Sequence, residues 1–100
     1  MDGSTEDYLY RVVIVHWTDA VSRDGWDSLD DVQGEDPHQC ISVGVCLRHD
    51  DDCVSIAGSW GYDGNRSAKD GTYAGVMVIP RGMIQSVYRV SDFPAKVYDV

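Results

Sequence analysis

Apolar residues occur along this chain in short runs rich in β-branched side chains, separated by polar segments that contain glycine, proline or aspartate. Long windows show no 3.6-residue period, so the pattern predicts a mostly β protein. A first strand is expected over residues 8–17, where apolar residues fall on both parities. Four more strands are expected in the segments "CISVGVCLR", "CVSIAGS", "TYAGVMVIP" and "QSVYRV".

The segments between these strands predict the domain organisation. Residues 18–39 form a long connection with seven acidic residues and one basic residue. Within it, Ser28–Val32 predicts a short helical turn with Ser28 as its N-cap. A length of 100 residues fits one domain, residues 1–100, with a barrel over 8–90, the acidic connection over 18–39 and a C-terminal tail over 91–100.

The second and third strands predict a hairpin around the turn "HDDD", His49–Asp52. Such a turn pairs Val45 with Ile56 and Leu47 with Val54. We therefore expect one core face, and an opposite face with Ser42, Gly44, Cys46 and Ser55. The side chains expected on the core face are those of Val43, Val45, Leu47, Val54 and Ile56.

Charge is distributed unevenly along the chain. Residues 1–52 hold 13 acidic and 3 basic residues, whereas residues 53–100 hold 4 acidic and 5 basic residues. The acidic half repels phosphate, so we expect no binding to generic nucleic acid. The polar start "MDGSTEDY" and the short apolar runs predict neither a signal peptide nor a membrane span, which indicates a cytoplasmic protein with reduced cysteines.

Two stretches resemble the motifs of small SH3-like barrels of the Sm-like group (Sm, LSm and Hfq). "SVGVCLRHDDDCVSI" is similar to the first Sm motif, and "VIPRGMIQSV" is similar to the second. The resemblance spans residues 41–90, about half of the chain, and implies a small five-stranded barrel. In such a barrel Gly44 would permit the sharp bend of a long strand.

A looser resemblance is to short uncharacterised phage-encoded proteins. It rests on "WTD" at Trp17–Asp19, "SVG" at Ser42–Gly44, "IP" at Ile79–Pro80, and Ile84 with Val87. That resemblance implies an accessory role in the cytoplasm of a host cell.

The Arg81-Gly82 pair has two interpretations. In RNA-binding Sm-like rings this corner meets the turn after the second strand, and that turn includes an asparagine that grips a base. Here the turn reads "DDDCVS" and contains no asparagine. The three carboxylates would neutralise Arg81 and repel phosphate, so the sequence favours a structural corner, with RNA binding as the weaker alternative.

No catalytic or metal-binding signature stands out from the sequence. His38, Cys40, Cys46, His49 and Cys53 lie close together in the chain, but they form no paired CxxC module that would give zinc four converging ligands. No nucleophile elbow is present either. We therefore expect a protein that is not an enzyme and that has no metal and no cofactor.

Aromatic residues beside polar ones supply the remaining candidate binding positions. The glycine-rich segment over residues 60–71 combines two aromatic and two basic residues, which suit a nucleotide ligand or belong to a mobile loop. Trp17 and Trp26, with Asp19 between them, suit a protein interface. Alternatively, Trp17 caps the core and Trp26 tucks the connection onto the barrel. The candidate binding residues are Trp17, Asp19, Trp26, Trp60, Tyr62, Arg66, Lys69 and Arg81.

Together these features predict a binding or assembly module of the phage accessory type. Its partners would be a host protein or copies of itself, engaged through the acidic surface and open strand edges. The alternative is an oligomer that binds a small ligand or nucleotide through the loop over residues 60–69.

Overall fold

The sheet is built from five antiparallel strands, each of which matches one of the apolar runs of the sequence. The computed structural model describes residues 8–61 and 71–92. Along the chain the elements are β1 (Val12–Asp19), the short helix α1 (Leu29–Gln33), β2 (His38–His49), β3 (Cys53–Gly61), β4 (Thr72–Pro80) and β5 (Ile84–Arg89). Two 3₁₀ helices, Arg81–Met83 and Val90–Asp92, lie on either side of β5.

The strands are arranged in the order β4-β3-β2-β1-β5. Within the described residues β4 and β5 pair only with β3 and β1 respectively, so they lie at opposite ends of the sheet. The mostly β, five-stranded architecture is therefore confirmed, but the sheet is not closed into the predicted barrel. Pro80 ends β4, and a 3₁₀ turn leads directly into β5.

One face of the sheet carries the core. Val13 and Val15 of β1, Cys46 of β2, and Val54 and Ile56 of β3 are buried there, together with Ile79 of β4. Trp17, Met83, Ile84 and Val87 pack against this cluster, as do Tyr8 and Leu9 from the turn before β1. That turn explains why β1 begins four residues later than expected.

The pairing of β2 with β3 differs from the predicted hairpin. Cys46 lies opposite Ile56, and the register shifts between Cys46 and Arg48, so Leu47 falls at a bulge. Because side chains alternate between faces, this shift turns Cys46 into the core and Val43 and Val45 onto the other face. The predicted core positions Val54 and Ile56 are correct, but those on β2 are wrong.

Gly44 lies where two strands approach closely. A Cβ atom at this position would stand 2.6 Å from the backbone oxygen of Ala57 and 3.1 Å from Cβ of Ile56. An alanine there would require the backbone of β3 to move.

Within the described residues, no helix has the length and apolarity needed to cross a membrane.

Candidate functional site

The turn between β2 and β3 is organised by one aspartate side chain. Asp50 Oδ1 accepts hydrogen bonds from the backbone N–H groups of Asp52 (2.9 Å) and Cys53 (3.0 Å). Its other oxygen, Oδ2, accepts from Arg48 Nε. The Arg48 guanidinium and the two backbone donors lower the pKa of Asp50 to about 2, and Asp50 in turn raises the pKa of Arg48. The triple-aspartate segment is thus a hydrogen-bonded turn.

Hydrogen bonds from Arg81 connect the corner after β4 to this turn. Its Nε and Nη2 atoms donate to the backbone oxygen of Asp50 at 3.1 and 2.7 Å, and its backbone N–H donates to the backbone oxygen of Asp52 at 2.9 Å. The sequence anticipated that carboxylates would neutralise Arg81, whereas the guanidinium binds a main-chain carbonyl. Gly82 has open space where a Cβ would lie. These contacts give Arg81 a structural role.

Trp17 belongs to the core side of the sheet. Its indole Nε1 donates to Ser42 Oγ at 3.0 Å, and its ring packs against the core cluster. Of the two interpretations made from the sequence, the structure therefore favours the core cap. Asp19, at the end of β1, accepts a hydrogen bond from the backbone N–H of Ala20 at 2.8 Å.

Trp26 lies on the connection between β1 and β2 and is fully exposed. The idea that it tucks this connection onto the sheet is therefore wrong. Ser28 caps α1 as predicted, because its Oγ accepts from the backbone N–H of Asp31. Leu29 and Val32 of α1 are also exposed, at 69% and 51%. Sequence reasoning missed these two residues, although their three-residue spacing after Trp26 was a readable signal.

Arg23 holds the connection together near Trp26. Its guanidinium forms ion pairs with Asp27, at 2.9 Å, and with Glu35. Both carboxylates raise the pKa of Arg23. Asp27 precedes α1 and Glu35 follows it, so the ion pairs of one arginine link the segments before and after the helix. An open cleft of about 510 Å³ lies here, lined by Val21, Arg23, Gly25, Trp26, Asp27, Val32 and Glu35.

The proposed nucleotide loop is only partly within the described residues. Trp60 stands at the end of β3 and stacks on Tyr73 of β4, with ring centroids 6.4 Å apart. Tyr62, Arg66 and Lys69 lie outside the described residues. The grouping of these four side chains therefore remains a prediction.

The cysteines are three free thiols in different surroundings. Cys40 is half-buried, whereas Cys46 and Cys53 are buried. Burial raises the pKa of Cys46 to about 11, so its reactive thiolate form is scarce at neutral pH. His49 stacks on Tyr8 at 4.5 Å. Among residues 8–61 and 71–92, no three histidine, cysteine or acidic side chains are grouped as metal ligands.

The face of the sheet opposite the core, here called the outer face, carries exposed aliphatic side chains on β1, β2 and β4 and the buried Ala57 on β3. Val12, Val45, Ala57 and Val76 form one row across β1 to β4 by their pairing register. Val43 on the central strand and Val78 on the edge strand are exposed to a similar extent, 57% and 59%. Apolar side chains thus continue from the outer face to the β4 edge.

Comparisons of the chain with models of protein families, with curated proteins and with solved structures give no match.

Proposed function

We propose that this protein is a non-enzymatic binding and assembly module whose open strand edges join it to further copies of itself. The observation that carries the proposal is the position of β4 and β5 at opposite ends of an open antiparallel sheet. An edge strand presents backbone donors and acceptors that a second strand can pair with. Within residues 8–61 and 71–92 the sheet therefore ends in two different edges, and a β4 edge can meet the β5 edge of the next copy.

The composition of β4 supports its use as an interface. Val76, Met77 and Val78 are exposed side chains in the middle of this edge strand. β4 contains no charged residue, whereas edges that avoid pairing commonly carry lysine or another charge. Pairing along β4 would remove apolar surface from water and satisfy backbone groups in the same step.

The geometry of the pairing determines the kind of assembly. Contact between two different edges is heterologous, so successive copies close into a ring or extend as a filament. The Sm-like resemblance implies the ring, because in those rings the fourth strand of one subunit pairs with the fifth strand of its neighbour. The resemblance to phage-encoded proteins implies that the assembly serves as an accessory component in a host cell.

Two matched substitutions test the edge. Val78→Lys places a charge on the β4 edge, whereas Val43→Lys places the same charge on the central strand of the same face, at nearly equal exposure. We expect sedimentation velocity at tens of micromolar to show that Val78→Lys lowers the assembled fraction more strongly than Val43→Lys. Equal loss in both variants would indicate packing through the outer face and would overturn edge pairing.

Val87 is unsuitable for this experiment. It lies opposite Val15 in the pairing of β5 with β1, and it packs against the core cluster. A lysine at position 87 would therefore disturb folding, and any loss of assembly could not be assigned to the edge.

A further inference from the structure

Three apolar side chains project from the connection between β1 and β2. Trp26 is fully exposed, and Leu29 and Val32 follow it at intervals of three residues. Leu29 and Val32 share one side of α1, because residues three apart are neighbours on a helix. Large aromatic side chains are common anchors of protein interfaces, since one ring contributes a large contact area with little rotamer entropy. These three residues are here called the Trp26 patch.

The backbone around the Trp26 patch is held in place before any partner binds. Arg23 bridges Asp27 and Glu35 across the helical turn. Gly25, with a φ of 107°, makes the turn before Trp26 in a conformation that other residues rarely adopt. A preformed site loses less conformational entropy on binding than a flexible one.

The border of the Trp26 patch is acidic. The connection holds seven acidic residues, and its single base, Arg23, is already paired with two of them. Within the described part of the chain, Asp24, Asp30, Asp31 and Asp36 form no ion pair. Such a border repels phosphate groups and anionic lipids, and it attracts lysine and arginine side chains.

A second copy of the chain suits this acidic border less well than a basic protein does. The chain carries a net charge of −9, so two copies repel each other on balance. The partner that fits is therefore a different protein.

We propose that the Trp26 patch docks into an apolar cleft bordered by lysine and arginine residues on another protein. Trp26 and Leu29 enter the cleft, and the unpaired carboxylates contact its basic border. The inference rests on the proposed function of a protein-binding module and adds the chemistry of the partner. It uses a surface separate from the β4 and β5 edges.

Synthetic peptides can serve as the probe. A fluorescein-labelled amphipathic peptide of leucine and lysine presents an apolar stripe with a basic border. Two control peptides separate the contributions: one keeps the leucines and replaces lysine by glutamate, and the other is oligolysine. Fluorescence anisotropy with the full-length protein should show binding to the leucine–lysine peptide that is at least about tenfold tighter than to either control.

Protein variants assign the binding to the patch. Trp26→Ala should weaken binding of the leucine–lysine peptide at least about tenfold, whereas Ile41→Ala, an exposed aliphatic residue on β2, should leave it unchanged. Equal binding of oligolysine, or an unchanged affinity in Trp26→Ala, would overturn the proposal. Sedimentation of Trp26→Ala should match that of the wild-type protein, so a failure of docking is distinguishable from a failure of strand-edge assembly.

Discussion

Replacing Gly44 by alanine tests the closest approach in the sheet. The added Cβ would lie 2.6 Å from the backbone oxygen of Ala57, whereas ordinary contacts begin at 3.4 Å. The β3 backbone must therefore retreat by about 0.8 Å, and neighbouring Ile56 belongs to the buried core. Overpacking of this kind costs about 1–3 kcal/mol. For a domain of this size, each kcal/mol lowers Tm by roughly 4–8 °C.

Gly82→Ala is the matched control, because no atom lies within 4 Å of the Cβ it would add and its φ is not positive. This substitution should leave Tm unchanged or raise it slightly, since alanine restricts the unfolded chain more than glycine does. Thermal unfolding followed by circular dichroism, at one fixed protein concentration, compares the two variants. Equal destabilisation by both substitutions, or none by Gly44→Ala, would refute the close approach of β2 and β3.

Further predictions concern the acidic turn, the thiols and nucleic acid. The pKa of Asp50 is lowered from 3.8 to about 2, so its stabilising effect is complete above about pH 4 and is lost as the pH falls through 2. At pH 7 the denaturant midpoint of Asp50→Asn should therefore lie below that of the wild-type protein. Near pH 2 the two midpoints should approach each other, and a difference independent of pH would contradict this. A thiol reagent at pH 8 should label Cys40 quickly and Cys46 and Cys53 only after unfolding, and fast labelling of all three would show that the core assignment is wrong. Random-sequence RNA and duplex DNA should not bind at physiological salt, because the acidic half of the chain dominates its field; micromolar, salt-sensitive binding would refute this.

Local signals predicted several elements well. Strand β4 has the expected bounds, Thr72–Pro80, because proline cannot donate to a ladder and ends the strand. The Ser28 cap also follows the prediction, and the corner expected at Arg81-Gly82 is a 3₁₀ turn over Arg81–Met83. These features depend on the chemistry of a few adjacent residues, which the sequence displays directly.

Register and closure could not be predicted in the same way. A single bulge at Leu47 reverses the faces of β2. The hydrophobic pattern favours burial of the aliphatic residues of β2, whereas the structure buries Gly44 and Cys46 instead. Whether the sheet closes into a barrel depends on the twist of its strands and on the path that the chain takes after Pro80. The exposure of Trp26 likewise depends on the path of the connection, along which Arg23 pairs with Asp27 and Glu35.

Native mass spectrometry of the full-length protein tests the central claim, assembly through strand edges, most directly. One chain has a mass of 11.1 kDa. Head-to-tail pairing of β4 with β5 predicts a species of several chains at tens of micromolar, and closure into a ring would give one defined multiple. A species of 11.1 kDa alone at that concentration would contradict the proposed assembly.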